Sequence, residues 1–531
     1  MLIIYKPIKM CPILLFLLVS SVNADIGEIL KRASPDAAVI GEVKRASSED
    51  DFVETINTAL PVAKDLFNTV FGKVNKFTIG MILDLAANWV GALFPPGPLP
   101  SVPERWWGNA EGPGDSSVRP FKVHFTDEMI TDLRARIRNR RNVTRALHGA
   151  AHTYGTNAEY LSHFLDFWAN DYDFKKREDW LNKYAQFITN IQGLDIHFIH
   201  VKPPNPHQKK VLPLLLVHGW PTTVFEFVHV IDYLLRGREE CNFVFEIIVP
   251  HLPGFGYSEA TNKIGMSQYQ MAVILKNLMV RLGKPRFYIH AGDIGQPVAD
   301  AMAVLFPDKV LGLHTNFPFS IRPQTLVKYV LGQLYPSGVE PRYQDRMYPL
   351  TTWAKFYLEN FGYFHLQATR PDNVGHGLDD SPVAQASWIL ENIIGGSSID
   401  NIRVNNGRLN QTFDMLDWFD SFTVYWASRS MATGVRVYAE LLAWLQDPLT
   451  LTILTTPTEV PFAAIRFQHE LVYQPDSFLR DKYPNLVQAS TLDFGGHFAG
   501  YEEPAVLGDS IWMSVKKMEA FNAKRGVLIQ F

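Results

Sequence analysis

Uninterrupted apolar runs set the frame of this chain. Val211–Val217 reads VLPLLLV, Asn242–Val249 reads NFVFEIIV, and Phe287–His290 is a third, shorter run. Such runs predict strands buried on both faces. Further candidate strands at 309–315, 459–466 and 487–493 alternate with helical patterns such as Pro297–Ala303. Residues 201–320 and 446–531 therefore read as the two parts of one α/β core, a mostly parallel sheet covered on both faces. Between about 321 and 445 the alternation stops, and an aromatic, helical stretch reads as a cap inserted into the core. Residues 106–200, rich in Trp and Tyr, read as a largely helical N-terminal domain.

Ahead of that domain the pattern changes. Lys6 and Lys9 precede the apolar Ile13–Val19, and Val22-Asn23-Ala24 supplies small residues for cleavage, so residues 1–24 read as a signal peptide. An uncleaved anchor is the alternative, although the run is shorter than the roughly 20 residues of a membrane span. The expected location is the secretory pathway, in the lumen or membrane of the endoplasmic reticulum or outside the cell. An anchored form facing the cytosol is the alternative. Asn142-Val143-Thr144 and Asn410-Gln411-Thr412 become glycosylation acceptors if the chain enters the lumen. Residues 25–51 are polar and repeat a Gly-Glu…Lys-Arg-Ala-Ser pattern, a composition that cannot bury a core. Val62, Leu66, Phe67, Val70, Phe71, Val74 and Phe77 recur at helical spacing. Thr78–Phe94 is nearly all apolar but carries Asp84 and Asn88. Residues 25–105 thus read as a linker plus an amphipathic segment that packs on the core or lies on a membrane surface.

With 531 residues, two or three units are expected, and 47% hydrophobic with 20% charged residues is globular composition. A net charge of -4 gives no footprint for nucleic acid. Cys11 and Cys241 are the only cysteines, too few for a disulfide framework in a processed chain. His469-Glu470 begins like a zinc-protease motif, but Tyr473 stands where the second histidine belongs, so no metal site follows.

The chemistry concentrates at the end of the third run. Phe287–His290 passes into Ala291-Gly292-Asp293-Ile294-Gly295 and then a helical pattern. Strand, small-residue turn and helix make a nucleophile elbow, here with a carboxylate in the serine's place. Alone, the same four residues also make an ordinary loop. A carboxylate nucleophile forms an ester on the protein, which requires an electrophilic carbon such as an epoxide's. Two more motifs flank the elbow in order. Val217 runs into His218-Gly219-Trp220-Pro221, and Val249 into Pro250-His251-Leu252-Pro253-Gly254-Phe255-Gly256. Together these motifs resemble the epoxide hydrolases of the α/β-hydrolase superfamily, most closely the microsomal and juvenile-hormone branch. The resemblance extends from Trp106-Trp107-Gly108 through Val118–Val123 and Gly193–Pro204 to the C-terminus.

The resemblance implies an α/β-hydrolase core with a helical cap and an N-terminal helical or meander domain. It implies Asp293 as nucleophile and His497, in Gly495-Gly496-His497, as general base. Glu470 would orient the histidine, with Asp476 as fallback; Asp493, on the strand carrying His497, suits the task less. Tyr363 and Tyr438 would donate to the epoxide oxygen. The backbone N–H groups of Trp220 and Ile294 would form the oxyanion hole, in a turn shaped by His218, Gly219 and a cis peptide at Pro221. Lipophilic epoxides (xenobiotic, fatty-acid or hormone-like) and water are the expected reactants, a vicinal diol the product, with no cofactor. The chain departs from the family pattern at Ile294, where tryptophan is usual, at Gln296, and at Thr222-Thr223. Ile294 lacks the indole donor of a haloalkane dehalogenase. Tyr257-Ser258-Glu259 lacks the second glycine of a serine-esterase elbow. A binding protein that retains only the fold is the remaining alternative, opposed by the intact Asp293, Glu470, His497, Tyr363 and Tyr438.

Overall fold

The computed structural model describes residue 99 and residues 101–109, 114–204, 209–334, 336, 339–444 and 447–526. The readings of residues 1–98 as leader, linker and amphipathic segment lie outside these residues.

The apolar runs become the strands of one sheet. β4 (Lys210–Val217), β5 (Phe243–Pro250), β6 (Phe287–Ala291), β7 (Val310–Thr315), β8 (Phe462–Arg466) and β9 (Leu486–Thr491) pair in parallel in the order β5-β4-β6-β7-β8-β9. Leu212, Leu214, Leu215, Leu216 and Val217 of β4 are completely buried. Their strand lies between two neighbours, and helices such as Gly295–Leu305 and Pro504–Lys524 pack on the sheet. That arrangement is why β4 has no polar face.

Three strands extend the sheet beyond what the apolar runs predict. β1 (Arg119–Phe121), β2 (Gln186–Ile191) and β3 (Leu194–Val201) pair antiparallel, and β3 joins the antiparallel meander to β5. Residues 106–200 are therefore not simply helical. The helices Asp127–Arg138, Ala158–Asn170 and Phe174–Leu181 share this region with a β-meander. β2 and β3 mix apolar residues with Thr189, Asn190, His197 and His200, which hides them from a search for apolar runs. Gln192 and Gly193 both take positive φ, 52° and 89°, the turn that suits a two-residue hairpin.

Among the described residues, all regular structure between β7 and β8 is helical. Residues 326–361 fall in a different compact unit, in which Trp353 and Tyr357 of the helix Leu350–Asn360 lie 4.2 Å apart and Tyr357 lies 4.4 Å from Phe361, just past its end. Residues 362–526 belong with residues 99–325 in the second unit. Within that unit a buried polar network ties the helix Met415–Ser428 to the N-terminal helices. Arg177 forms ion pairs with Asp417 at 3.0 Å and Asp420 at 2.5 Å, and Tyr172 donates to Asp420 at 2.8 Å. The other end of that helix reaches the site, where the Tyr425 hydroxyl donates to the Thr222 carbonyl at 3.0 Å.

Candidate active site

Asp293 follows β6 directly, on the turn into the helix Gly295–Leu305. Its φ is 44°, an unfavourable conformation for a residue with a Cβ. Close packing enforces it. A Cβ at Gly295 would lie 2.5 Å from the Val217 carbonyl oxygen and 2.7 Å from that of His218, so only glycine lets this helix start so near the end of β4. The turn leaves Asp293 partly exposed above the sheet.

The end of β4 supplies the opposite wall. A Cβ at Gly219 would lie 2.3 Å from Asp293 Oδ1, so the HGWP glycine clears space for the carboxylate. The next amide, Trp220 N–H, donates to that Oδ1 at 2.8 Å. The Trp220–Pro221 peptide is cis, as expected from the sequence. The His218 ring fastens the turn, with Nδ1 2.8 Å from the Gly219 carbonyl and Nε2 accepting from Leu252 N–H at 3.1 Å. Burial pushes its pKa down to about 4, so it stays neutral.

His497 arrives on the loop after β9. Its backbone N–H donates to the Gly396 carbonyl at 3.1 Å. Its Nε2 lies 3.0 Å from Asp293 Oδ2 and its Nδ1 2.6 Å from Glu470 Oε1. Glu470 sits on the loop after β8 and is 1% exposed, a position where its charge acts through low dielectric. Burial alone would favour a neutral imidazole. The Glu470 carboxylate and the bond to Asp293 outweigh it and hold the His497 pKa well above the ordinary value. Asp476 is engaged elsewhere, 2.5 Å from Arg466.

Tyr363 and Tyr438 come from the helices Gly362–Thr369 and Met431–Trp444. Their hydroxyls hydrogen-bond each other, and both groups feel the charge of Asp293. The Trp220 ring stacks on Tyr363 at 5.6 Å and meets Tyr438 edge-on at 5.6 Å. Burial, first, and then neighbouring negative or phenolic groups raise both tyrosine pKa values, so both remain neutral donors. Asp379 accepts from the N–H groups of Met431 and Ala432, and Arg436 pairs with Asp372 at 2.6 Å. These bonds fix the Tyr438 helix against the helix Pro371–Asp380, which follows the one carrying Tyr363.

Comparison with known proteins assigns the family. Residues 118–227 match the family model for the epoxide hydrolase N terminus, and residues 213–347 match that for the alpha/beta hydrolase fold. The juvenile hormone epoxide hydrolase of Manduca sexta is 45% identical over 80% of this chain and 93% of its own length. The chain belongs to the epoxide hydrolase family. Epoxide hydrolase 1 of Oryctolagus cuniculus is 37% identical over 78% of this chain and 92% of its own. The crystal structure of juvenile hormone epoxide hydrolase from Bombyx mori superposes with a TM-score of 0.77 at 37% identity, over 79% of this chain and 99% of that one.

The departures at the elbow of this epoxide hydrolase are accommodated by packing. Ile294 is 5% exposed and joins the core. Gln296 is fully buried, and its amide donates to the Tyr483 hydroxyl at 3.2 Å. Thr223 caps the short helix Val224–Phe227, accepting from Phe225 N–H at 3.3 Å.

Other residues at the site escaped the sequence reading. Glu226, Thr222 and Asn316 line a cavity of about 20 Å³ beside Asp293 and His497, together with Phe498, Ala499 and Gly500. Glu226 carried a usable signal, as the single acid within Val224-Phe225-Glu226-Phe227-Val228. Asn316 carried none, since its sequence neighbourhood is ordinary, and Thr222 stood out only as a departure from the family pattern after Pro221.

Proposed function

We propose that this epoxide hydrolase opens lipophilic epoxides to vicinal diols through an ester on Asp293. The observation that carries the reading is the division of partners around one carboxylate. Trp220 N–H binds Oδ1, and His497 binds Oδ2 beneath the tyrosine pair. Oδ2 attacks an epoxide carbon, and the C–O bond to the ring oxygen breaks. Tyr363 and Tyr438 hold that oxygen, and one of them gives it a proton.

Ester formation consumes the negative charge of Asp293. His497 then loses one of the two partners that keep it protonated, passes its proton back to the tyrosinate and becomes a base. It takes a proton from water while the water oxygen bonds to the ester carbon. The oxyanion on Oδ1 is held by the N–H groups of Trp220 and Ile294. The bond from that carbon to the alkyl oxygen breaks, His497 returns its proton to the leaving oxygen, and the diol departs. The second water proton, left on the regenerated carboxyl, passes to His497 and restores the resting pair of imidazolium and carboxylate.

The juvenile hormone names of the insect relatives favour a hormone-like epoxide bearing a long apolar body. The aromatic wall of Trp220, Tyr363 and Tyr438 suits such a ligand. His497→Gln exposed to a styrene-oxide-type or terpenoid epoxide should gain one substrate mass on Asp293, while Asp293→Ala should gain none. An adduct mapped to a serine or cysteine would refute the reading.

We also propose that residues 1–24 direct the chain into the secretory pathway and that the segment 62–94 meets a membrane surface. Asn142 and Asn410 are exposed and open to glycosylation. A mass unchanged by glycosidase would favour an anchored form facing the cytosol.

A further inference from the structure

The hydrolytic half of the reaction needs a water molecule with a defined orientation. One of its hydrogens goes to His497. Its oxygen lone pair must face the Asp293 carbon, so its second hydrogen needs an acceptor. The described structure offers a cavity in the right place. It is lined by Asp293 and His497, the two groups that must meet the water, and its volume of about 20 Å³ suits a single water molecule. Neither Tyr363 nor Tyr438 lines it. Its remaining walls are mostly apolar or backbone, apart from Thr222, Asn316 and Glu226.

Of these three, Glu226 offers the most acceptor capacity, two carboxyl oxygens against the one amide oxygen of Asn316 and the shared hydroxyl of Thr222. The Asn316 amide nitrogen donates to the His497 carbonyl at 3.4 Å, which fixes the loop rather than a ligand. The Thr222 hydroxyl is shared between Gly219, at 3.3 Å to its carbonyl, and the Glu226 carboxyl. Glu226 is 9% exposed in the apolar turn Val224–Phe227, and no basic side chain hydrogen-bonds it. A carboxyl in such a place costs several kcal/mol unless something polar meets it. Its backbone is fixed as well, since a Cβ at Gly500 would lie 2.8 Å from the Glu226 carbonyl oxygen. The loop bearing His497 thus packs on the turn bearing Glu226.

Building on the Asp293 ester mechanism, we infer that Glu226 accepts the second hydrogen of the hydrolytic water and aims its oxygen at the ester carbon. Glu226 transfers no proton in this step; the water proton that leaves goes to His497. The electrostatics agree. Burial pushes the Glu226 carboxyl up to about 8, the Thr222 hydroxyl pulls it back, and the charge of Asp293 raises it further. The charge of His497 works the other way, and both charges disappear together when the ester forms and His497 gives up its proton, so the carboxyl keeps its acceptor oxygen for the water.

Single-turnover kinetics with mass detection of the Asp293 adduct separate the two half-reactions. Glu226→Leu should form the adduct at the wild-type rate and release it about 10²-fold more slowly, the cost of a misplaced reactant. Glu226→Gln keeps an acceptor oxygen and should recover most of that loss. Ala499→Val fills the same cavity from another wall and should also slow release without slowing formation, which keeps the test open if Glu226→Leu does not fold. Release at the wild-type rate in Glu226→Leu or Ala499→Val would overturn the inference. So would equal losses in both half-reactions, the mark of a structural role alone. The absence of any adduct in His497→Gln would instead remove the ester reading on which the inference stands.

Discussion

The backbone amide of Trp220 holds one particular oxygen of Asp293, Oδ1, at 2.8 Å, and leaves Oδ2 to His497 at 3.0 Å. The carboxylate is thereby made asymmetric before any substrate binds. In the proposed mechanism Oδ1 is already where the ester carbonyl belongs, and Oδ2 is the oxygen that would become the alkyl oxygen. One turnover in ¹⁸O-water should therefore yield unlabelled diol and enzyme labelled at Asp293. Many turnovers should yield labelled diol. Label in the diol of the first turnover would mean direct attack of water on the epoxide.

In the proposed mechanism Glu470 acts through His497, 2.6 Å away, and it supplies the largest favourable influence on the imidazole charge. Glu470→Gln should slow adduct hydrolysis by about 10²–10⁴-fold, the range seen when such a carboxylate is neutralised. Adduct formation should fall far less. Rapid-quench measurement of both rates checks this, and a larger loss in formation would contradict it.

The hydroxyls of Tyr363 and Tyr438 share one hydrogen bond and stand over the same carboxylate. Each can cover for the other at the epoxide oxygen. Tyr363→Phe should cost about 10-fold in adduct formation, and the double change with Tyr438→Phe about 10²–10⁴-fold. Additive losses would show two separate duties instead.

Glu226 gives a stability effect of definite sign. Its folded pKa of about 8 lies above the ordinary 4.5, with burial as the main cause. A folded value raised in this way stabilises the protein fully below pH 4.5, and the contribution is lost as pH rises toward 8. Urea denaturation should show Glu226→Gln gaining on the wild type by about 1–3 kcal/mol between pH 5 and pH 8. A difference independent of pH would mean that Glu226 is ionised throughout.

The strands β4 to β8 were readable from the chain because burial along their length keeps them mostly apolar, whereas β9, at the sheet edge, is only partly buried and carries Gln488, Ser490 and Thr491. β2 and β3 were not. Thr189 and His197 are fully buried yet polar, their needs met by the Ser116 carbonyl and by Gln186 and His251. Burial of that kind depends on distant partners, which no local pattern records. The same division holds at the site. Asp293 and His497 stand in glycine-flanked turns that mark themselves, whereas Asn316 and Thr222 matter only through what folds beside them. Glu226 lies between these cases, an acid that looks misplaced until the cavity next to it is seen.

Trp220 also partitions space. Its ring lies with the two tyrosines, and its backbone borders the small polar cavity, so Asp293 is approached from two compartments of opposite character. An apolar ligand can then occupy the whole aromatic side without shutting out the second reactant. A water seated in that cavity before the guest arrives would not have to travel past it, so growth of the guest on the aromatic side would leave the second reactant in place.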